Sequence, residues 1–385
     1  MNGSPRPSSR PHKDRRGPAV IARMPLRRAG AIFAAALCVS AQSWTIAPAP
    51  RLELPVRPDG NSSTFWAGGA FHVFTSTGEP LMISTAGNQF SGWEDSAPVD
   101  VTGVPDSPLW MEAAHRVGNM LFGWYHHEPG GVCGAVPLTI PRIGAAVSHD
   151  SGRTFTGLGT VLESGDPADC TAKNGFFAGG HGDFSVVPDR QREYFYFFFT
   201  NYAGPRESQG ICMARLARED RFAPSGKVMK YFAGAWSEPG IGGRCTPLFP
   251  ARAEWQRADA DSFWGPAVHY NTHLRRYVML LNRSCCSPGW PQEGIYISFS
   301  AGPLAAGRWT PPVKLMDGRG IGFRPGYYPQ VIGLQYGETD TVSGQKARLY
   351  IHGISDWTIT FFRAPGLPPQ AAGPPSPPGS AESGR

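Results

Sequence analysis

The sequence predicts an all-β chain folded as a five-bladed β-propeller, and three observations predict it. The composition, with 48 Gly, 38 Pro, 12% aromatic and only 17% charged residues, is that of many short strands joined by turns. Five segments share one pattern: an aromatic or Gly/Pro lead-in, a short apolar strand, a turn, and a second aromatic-rich strand. They occupy residues 63–76, 108–129, 181–202, 262–283 and 327–355, starting roughly 45 to 80 residues apart, a spacing that suits four-stranded blades. A sandwich does not need this length, and β-helix repeats are much shorter.

The first element is a leader. Eight basic residues and one acid, Asp14, precede the apolar run Ala29 to Val39 and the small-residue step Val39-Ser40-Ala41. Residues 1–41 therefore read as a secretory signal peptide, implying a secreted or periplasmic protein with no membrane anchor once the leader is removed. Of the chain's 36 basic and 30 acidic residues, 28 and 29 remain beyond it, so the basic pI belongs to the leader and implies no nucleic-acid partner. Six cysteines also remain: Cys133, Cys170, Cys212, Cys245, Cys285 and Cys286. The even number favours disulfides over a zinc site, for which no CxxC or HxxxH pair is present, and leaves all 15 pairings open. Residues 50–363 are assigned to the propeller and the Pro/Gly/Ser/Ala-rich residues 364–385 to a disordered tail. Residues 218–260 read as a long insertion rather than a sixth blade.

The second halves of the blades repeat as well. After the second segment, Ser148-His149-Asp150-Ser151-Gly152-Arg153-Thr154-Phe155 resembles the Asp-box of sialidases and other propellers, a turn in which the Asp caps backbone amides and the aromatic packs inward. Such a turn lies on a blade's rim, so Asp150 is read as structural.

In a propeller the first strand of each blade lines the channel, and ligands bind where those strands begin or end. Asp183 heads that strand in blade three and Glu112 in blade two. Asp59 precedes it in blade one, Asp259 and Asp261 in blade four, and Tyr327, Tyr328 and Gln330 in blade five. Carboxyl groups from separate blades converging on one channel suit glycosidic bond cleavage, which needs one protonated and one ionised carboxyl group. Trp66, Trp110, Trp124 and Trp264 at the strand starts would stack on sugar faces. His126, His127 and Glu128 end the second strand of blade two and His181 stands two residues before Asp183. A His there could serve as the acid or hydrogen-bond sugar hydroxyls, and His127 and His181 join Asp261 and Tyr328 as candidate substrate contacts. Metal-ligand spacing is absent among His127, His181 and Asp183, and neither metal nor cofactor is expected.

These features resemble the five-bladed glycoside hydrolases of families 32, 43, 68 and 117. The resemblance implies Asp59 as general base or nucleophile and Asp183, in "HGDFSV", as transition-state stabiliser. Those families carry the acid Glu one blade further on, where this chain reads Phe263-Trp264-Gly265-Pro266, so Glu112 is the channel Glu that replaces it. The implied protein is a monomer acting on an oligo- or polysaccharide, the alternative being a carbohydrate-binding or interaction propeller without catalysis.

Overall fold

The computed structural model describes residues 43–78, 80–104, 109–318, 320–321 and 326–363. The expected leader over 1–41 and tail over 364–385 lie outside the described residues. No helix among the described residues is long and apolar enough to cross a membrane.

Five mainly antiparallel sheets follow one another along the chain around a common channel, making a five-bladed propeller. Blade I holds Thr64–Ala67, Ala70–Thr75, Met82–Ala86 and Asp95–Pro98. Blade II holds Leu109–Val117, Met120–His127, Arg142–Ser148 and Thr154–Leu162, with Asp100–Thr102 added in parallel at its outer edge. Blade III holds His181–Pro188, Tyr194–Asn201, Gly210–Ala217, Met229–Phe232 and Ala235–Pro239. Blade IV holds Ser262–Asn271, Arg276–Ser284, Gln292–Phe299 and Val313–Asp317. Blade V holds Pro329–Gly333, Lys346–Ile351 and Ile354–Phe362. Its fourth strand is Ser43–Glu53, paired antiparallel with Ile354–Phe362, so both ends of the described chain meet in one sheet and close the ring.

Two expectations change. Strand pairing begins at Ser43, ahead of residue 50, because the closing strand is more than half exposed and carries little apolar signal. Residues 218–260 are not a plain insertion: Met229–Phe232 and Ala235–Pro239 extend blade III outward, and Phe249–Pro250 pairs with Gly210 and Ile211.

The core is divided among the gaps between blades, because each sheet buries both faces. The stretch "YFYFFF" shows the cause. Side chains alternate across a strand, so Phe195, Phe197 and Phe199 pack with Trp124, Ile143 and Val147 of blade II. Tyr196 and Phe198 pack with Met279, Leu281 and Tyr296 of blade IV. A strand with no solvent face has no polar alternation, and losing one such buried Phe to Ala typically costs about 3–5 kcal/mol.

The cysteines pair as Cys133–Cys170, Cys212–Cys245 and Cys285–Cys286. In the rim turn after blade II's third strand, Asp150 accepts hydrogen bonds from the amides of Arg153 (3.1 Å) and Thr154 (2.9 Å) and from the Thr154 hydroxyl (2.8 Å). Phe155 is buried beside Phe74 of blade I.

Candidate active site

The inner strands are irregular where they enter the channel. In blade II the register slips between Met111 and Ala113, leaving Glu112 unpaired, and in blade III it slips between Gly182 and Phe184, leaving Asp183. Blade IV slips between Trp264 and Ala267, at Gly265 and Pro266. A bulge re-aims the extra residue, here toward the channel. Asp183 holds left-handed backbone, φ +40°, a conformation that costs a non-glycine residue about 1–3 kcal/mol.

Asp183 and Glu112 are wholly buried and fully engaged. Tyr202 donates its hydroxyl to Asp183 Oδ2 and Tyr328 donates to Oδ1 at 3.1 Å. Glu112 Oε2 accepts the Phe184 amide at 3.0 Å, and Glu112 Oε1 lies 3.0 Å from His126 Nδ1. His126 reaches on toward the surface, its Nε2 3.4 Å from Glu128 Oε1. Thr139 donates to Glu128 Oε2 at 3.3 Å. Gly182 lets the strand pass close to this imidazole, since a Cβ there would lie 2.7 Å from His126 Cε1 and Nε2.

Burial pushes all three carboxyl groups up. Glu112 rises to about 8 by desolvation, opposed by the amides that bond it. Glu128 rises to about 7, mainly by desolvation, with the charges of Asp183 and Asp59 adding to it and His126 opposing. Asp183 rises to about 6 by desolvation, with His126 and the Tyr202 hydroxyl opposing. The cluster can therefore hold protonated and ionised carboxyl groups together near neutral pH.

Above it opens a cavity of about 210 Å³. Each blade contributes the head of its inner strand: Asp59, Trp110, Asp183, Trp264 and Tyr328 line it, joined by His126, Glu128 and Tyr327. The remaining wall is Pro137, Thr139, Gly175, Phe176, Phe177 and Trp290. Asp59 sits exposed at the mouth.

Six of the sequence candidates, Asp59, Trp110, Asp183, Trp264, Tyr327 and Tyr328, thus meet in one cavity, and the others stand elsewhere. Trp124 is in the core between blades II and III, because it lies on the second strand and faces the neighbouring blade. Glu112 lies beneath it and touches it through His126. Strand alternation points His126 into the cavity and leaves His127 off its lining. His181 packs on Phe199, and burial holds its imidazole well below the usual range, with the Lys230 charge adding to the effect. Asp261 is paired with Arg283 through two hydrogen bonds of 2.9 Å. Trp66 donates to the Glu338 carbonyl on the blade I/V side. Sequence reasoning missed His126 and Glu128 as a pair, although two residues apart at a strand end is the spacing that puts both on one face. Phe176, Phe177 and Trp290 come from segments with no strand periodicity.

Glu112, His126 and Asp183 offer ligand atoms within 4.8 Å of one another. Every carboxyl oxygen of the trio already accepts a hydrogen bond or faces the imidazole, so the group fits a hydrogen-bonded cluster better than a cation site.

Fold and site together define a five-bladed propeller with an acidic, aromatic pocket at the heads of its inner strands. No protein-family profile and no curated protein sequence matches the chain. Among solved structures it is similar to an arabinanase of Bacillus subtilis, at 13% identity and TM-score 0.43 over 78% of this chain and 93% of that one. It is also similar to an endo-arabinase of Bacteroides thetaiotaomicron, at 14% identity and TM-score 0.46 over 81% and 97%. An exo-β-1,3-galactanase of Phanerochaete chrysosporium gives 11% identity and TM-score 0.44 over 83% and 64%. At such identities and scores no activity passes from those proteins to this chain.

Proposed function

We propose that the protein is a glycoside hydrolase, exported to an oxidising compartment, that cleaves a glycosidic bond in the pocket at the channel mouth. The observation that carries this reading is the cavity itself: three carboxyl groups, Asp59, Glu128 and Asp183, among aromatic rings set tilted or edge-on to one another. The leader pattern and the three disulfides support export.

In this reading Glu128, protonated up to about pH 7, donates its proton to the leaving oxygen as the C1–O bond breaks. Asp59 at the mouth removes a proton from the attacking water, or attacks C1 itself before water releases the sugar. Either way water adds across the bond, its oxygen to C1 and its hydrogen to the leaving group. Asp183, ionised above about pH 6, faces the positive charge that develops at C1. Glu112 acts through His126 as a positioning residue.

A second reading, a sugar-binding propeller without catalysis, is favoured by one observation: the blade IV bulge presents Gly265 and Pro266 and no carboxyl group. One experiment separates the two. The purified protein is incubated with 4-nitrophenyl glycosides and neutral oligosaccharides, with Asp183→Asn in parallel. Turnover by the wild type that is lost in the variant supports hydrolysis, binding without release supports the lectin-like reading, and neither response defeats both.

A further inference from the structure

The channel mouth is closed on one side. Phe176 and Phe177, on the segment between blades II and III, meet Trp290 of blade IV with ring centroids 4.9 and 5.5 Å apart. Beneath, Tyr202 packs on both Phe177 (4.5 Å) and Trp290 (5.9 Å). These contacts turn what an open propeller presents as a groove across the channel into a wall spanning blades II to IV.

The wall is built rather than loosely draped. Cys133–Cys170 ties the loop after blade II's second strand to the segment before blade III. The same two segments are laced by Thr139 N to Phe176 O (3.0 Å) and Ala178 N to Thr139 O (2.8 Å). Asn174, 3% exposed, accepts the amides of Phe176 (2.7 Å) and Phe177 (2.8 Å) and donates to the carbonyls of Phe177 (2.8 Å) and Trp255 (2.6 Å). On the far side the Tyr327 hydroxyl holds the Trp290 carbonyl at 2.9 Å.

The floor is closed as well. Asn61 bridges the carbonyls of Phe184 (2.8 Å) and Pro266 (3.0 Å) across the channel, and Asp183 is capped by its two tyrosines. What remains is a blind cavity of about 210 Å³. That is below the roughly 300 Å³ at which pockets for larger ligands begin. It holds one sugar ring and has no room for two. Its described lining carries three carboxyl groups and no Lys or Arg. A sugar bearing carboxylate or sulfate would therefore meet an acidic site in which the His126 imidazole, already held between Glu112 and Glu128, is the one basic side chain.

We propose that this walled pocket takes one uncharged sugar ring from the non-reducing end of a chain, making the protein exo-acting on neutral glycans. The orientation follows from the chemistry of the hydrolase reading, on which the inference rests. The ring whose C1–O bond breaks is the buried one, and its other hydroxyls face walls and floor, so only the leaving chain exits through the mouth.

The test uses the whole protein with reducing-end-tagged neutral oligosaccharides of two to six sugars, matching oligosaccharides with a blocked non-reducing end, and uronate-bearing analogues. Expected is monosaccharide as the sole released sugar from the first turnovers, with blocked and uronate-bearing chains cleaved at least about tenfold more slowly. Early release of mixed longer fragments, or indifference to end blocking, overturns the inference while leaving hydrolysis intact. If nothing is cleaved, the hydrolase reading fails and binding of the same probes decides the pocket. Affinity for the monosaccharide within about threefold of that for longer chains sustains a single-ring site, and affinity rising more than about tenfold with length defeats it.

Discussion

The hydroxyl of Tyr328 donates to Oδ1 of Asp183 at 3.1 Å, joining the head of blade V to the head of blade III across the channel. Both residues hold left-handed backbone, with φ of +54° and +40°. Strained conformations persist where neighbouring contacts over-determine them. Here the hydroxyls of Tyr328 and Tyr202 grip one carboxyl group from two sides and fix its direction.

Tyr328→Phe removes one of those donors and leaves the ring packed on Trp264. A hydrogen bond to the ionised form favours ionisation, so its loss moves Asp183 above its present value of about 6. The acidic limb of a pH–rate profile should move up by a few tenths to about one unit, with a stability loss of about 1 kcal/mol. An unmoved limb would show that Tyr328 does not set the Asp183 charge.

Glu112→Gln tests the buried end of the cluster. Burial lifts the Glu112 carboxyl from 4.5 to about 8. The stability tied to its proton is fully present below about pH 4.5 and is lost as pH rises toward 8. Gln cannot ionise, so the variant should gain on the wild type by about 1.4 kcal/mol per pH unit between those limits. Taking the difference cancels other titrating groups such as Lys230, which burial lowers to about 7. Denaturant unfolding of both proteins at pH 5, 6, 7 and 8 measures it; parallel curves would mean that the carboxyl is not protonated in the fold.

Gly182→Ala places a methyl group 2.7 Å from the His126 ring. The imidazole must shift, and overpacking of this kind costs about 1–3 kcal/mol. The shift breaks its approach to Glu128, so turnover should fall more than stability alone accounts for. Wild-type turnover in a variant that unfolds earlier would detach His126 from the reaction.

The fold was legible because a propeller repeats its signal. The innermost strand and its neighbour fall on the five repeated segments, overrunning them by Ser284 alone, and "YFYFFF" announces a strand buried on both faces. The two outermost strands of blade III were not: Met229–Phe232 and Ala235–Pro239 are four and five residues long and partly exposed, too short for periodicity to register. Of the site, residues at strand heads could be read from position, as Asp183, Trp110, Trp264 and Tyr328 were. Asp261 looked equivalent to Asp183, but its partner Arg283 lies on the next strand, and an ion pair across strands leaves no mark in local sequence. Phe176 and Trp290 reach the pocket through loop geometry fixed by Cys133–Cys170 and by Tyr327, contacts that no spacing rule contains.

Glu128→Gln bears most directly on the hydrolase reading. The side chain keeps its shape and can still accept from Thr139, so the fold should lose little, while the proton for the leaving group is gone. General acid catalysis contributes about 10²–10⁴-fold, and turnover of an unactivated oligosaccharide should fall by that order. A 4-nitrophenyl glycoside, whose leaving group departs as a stable anion, needs little protonation and should be affected far less. The wild type should show a bell-shaped profile, falling below about pH 6 as Asp183 protonates and above about pH 7 as Glu128 ionises. In the variant the alkaline limb near 7 should vanish and the acidic limb remain. Equal losses on both substrates with the alkaline limb intact would remove Glu128 from the role of acid.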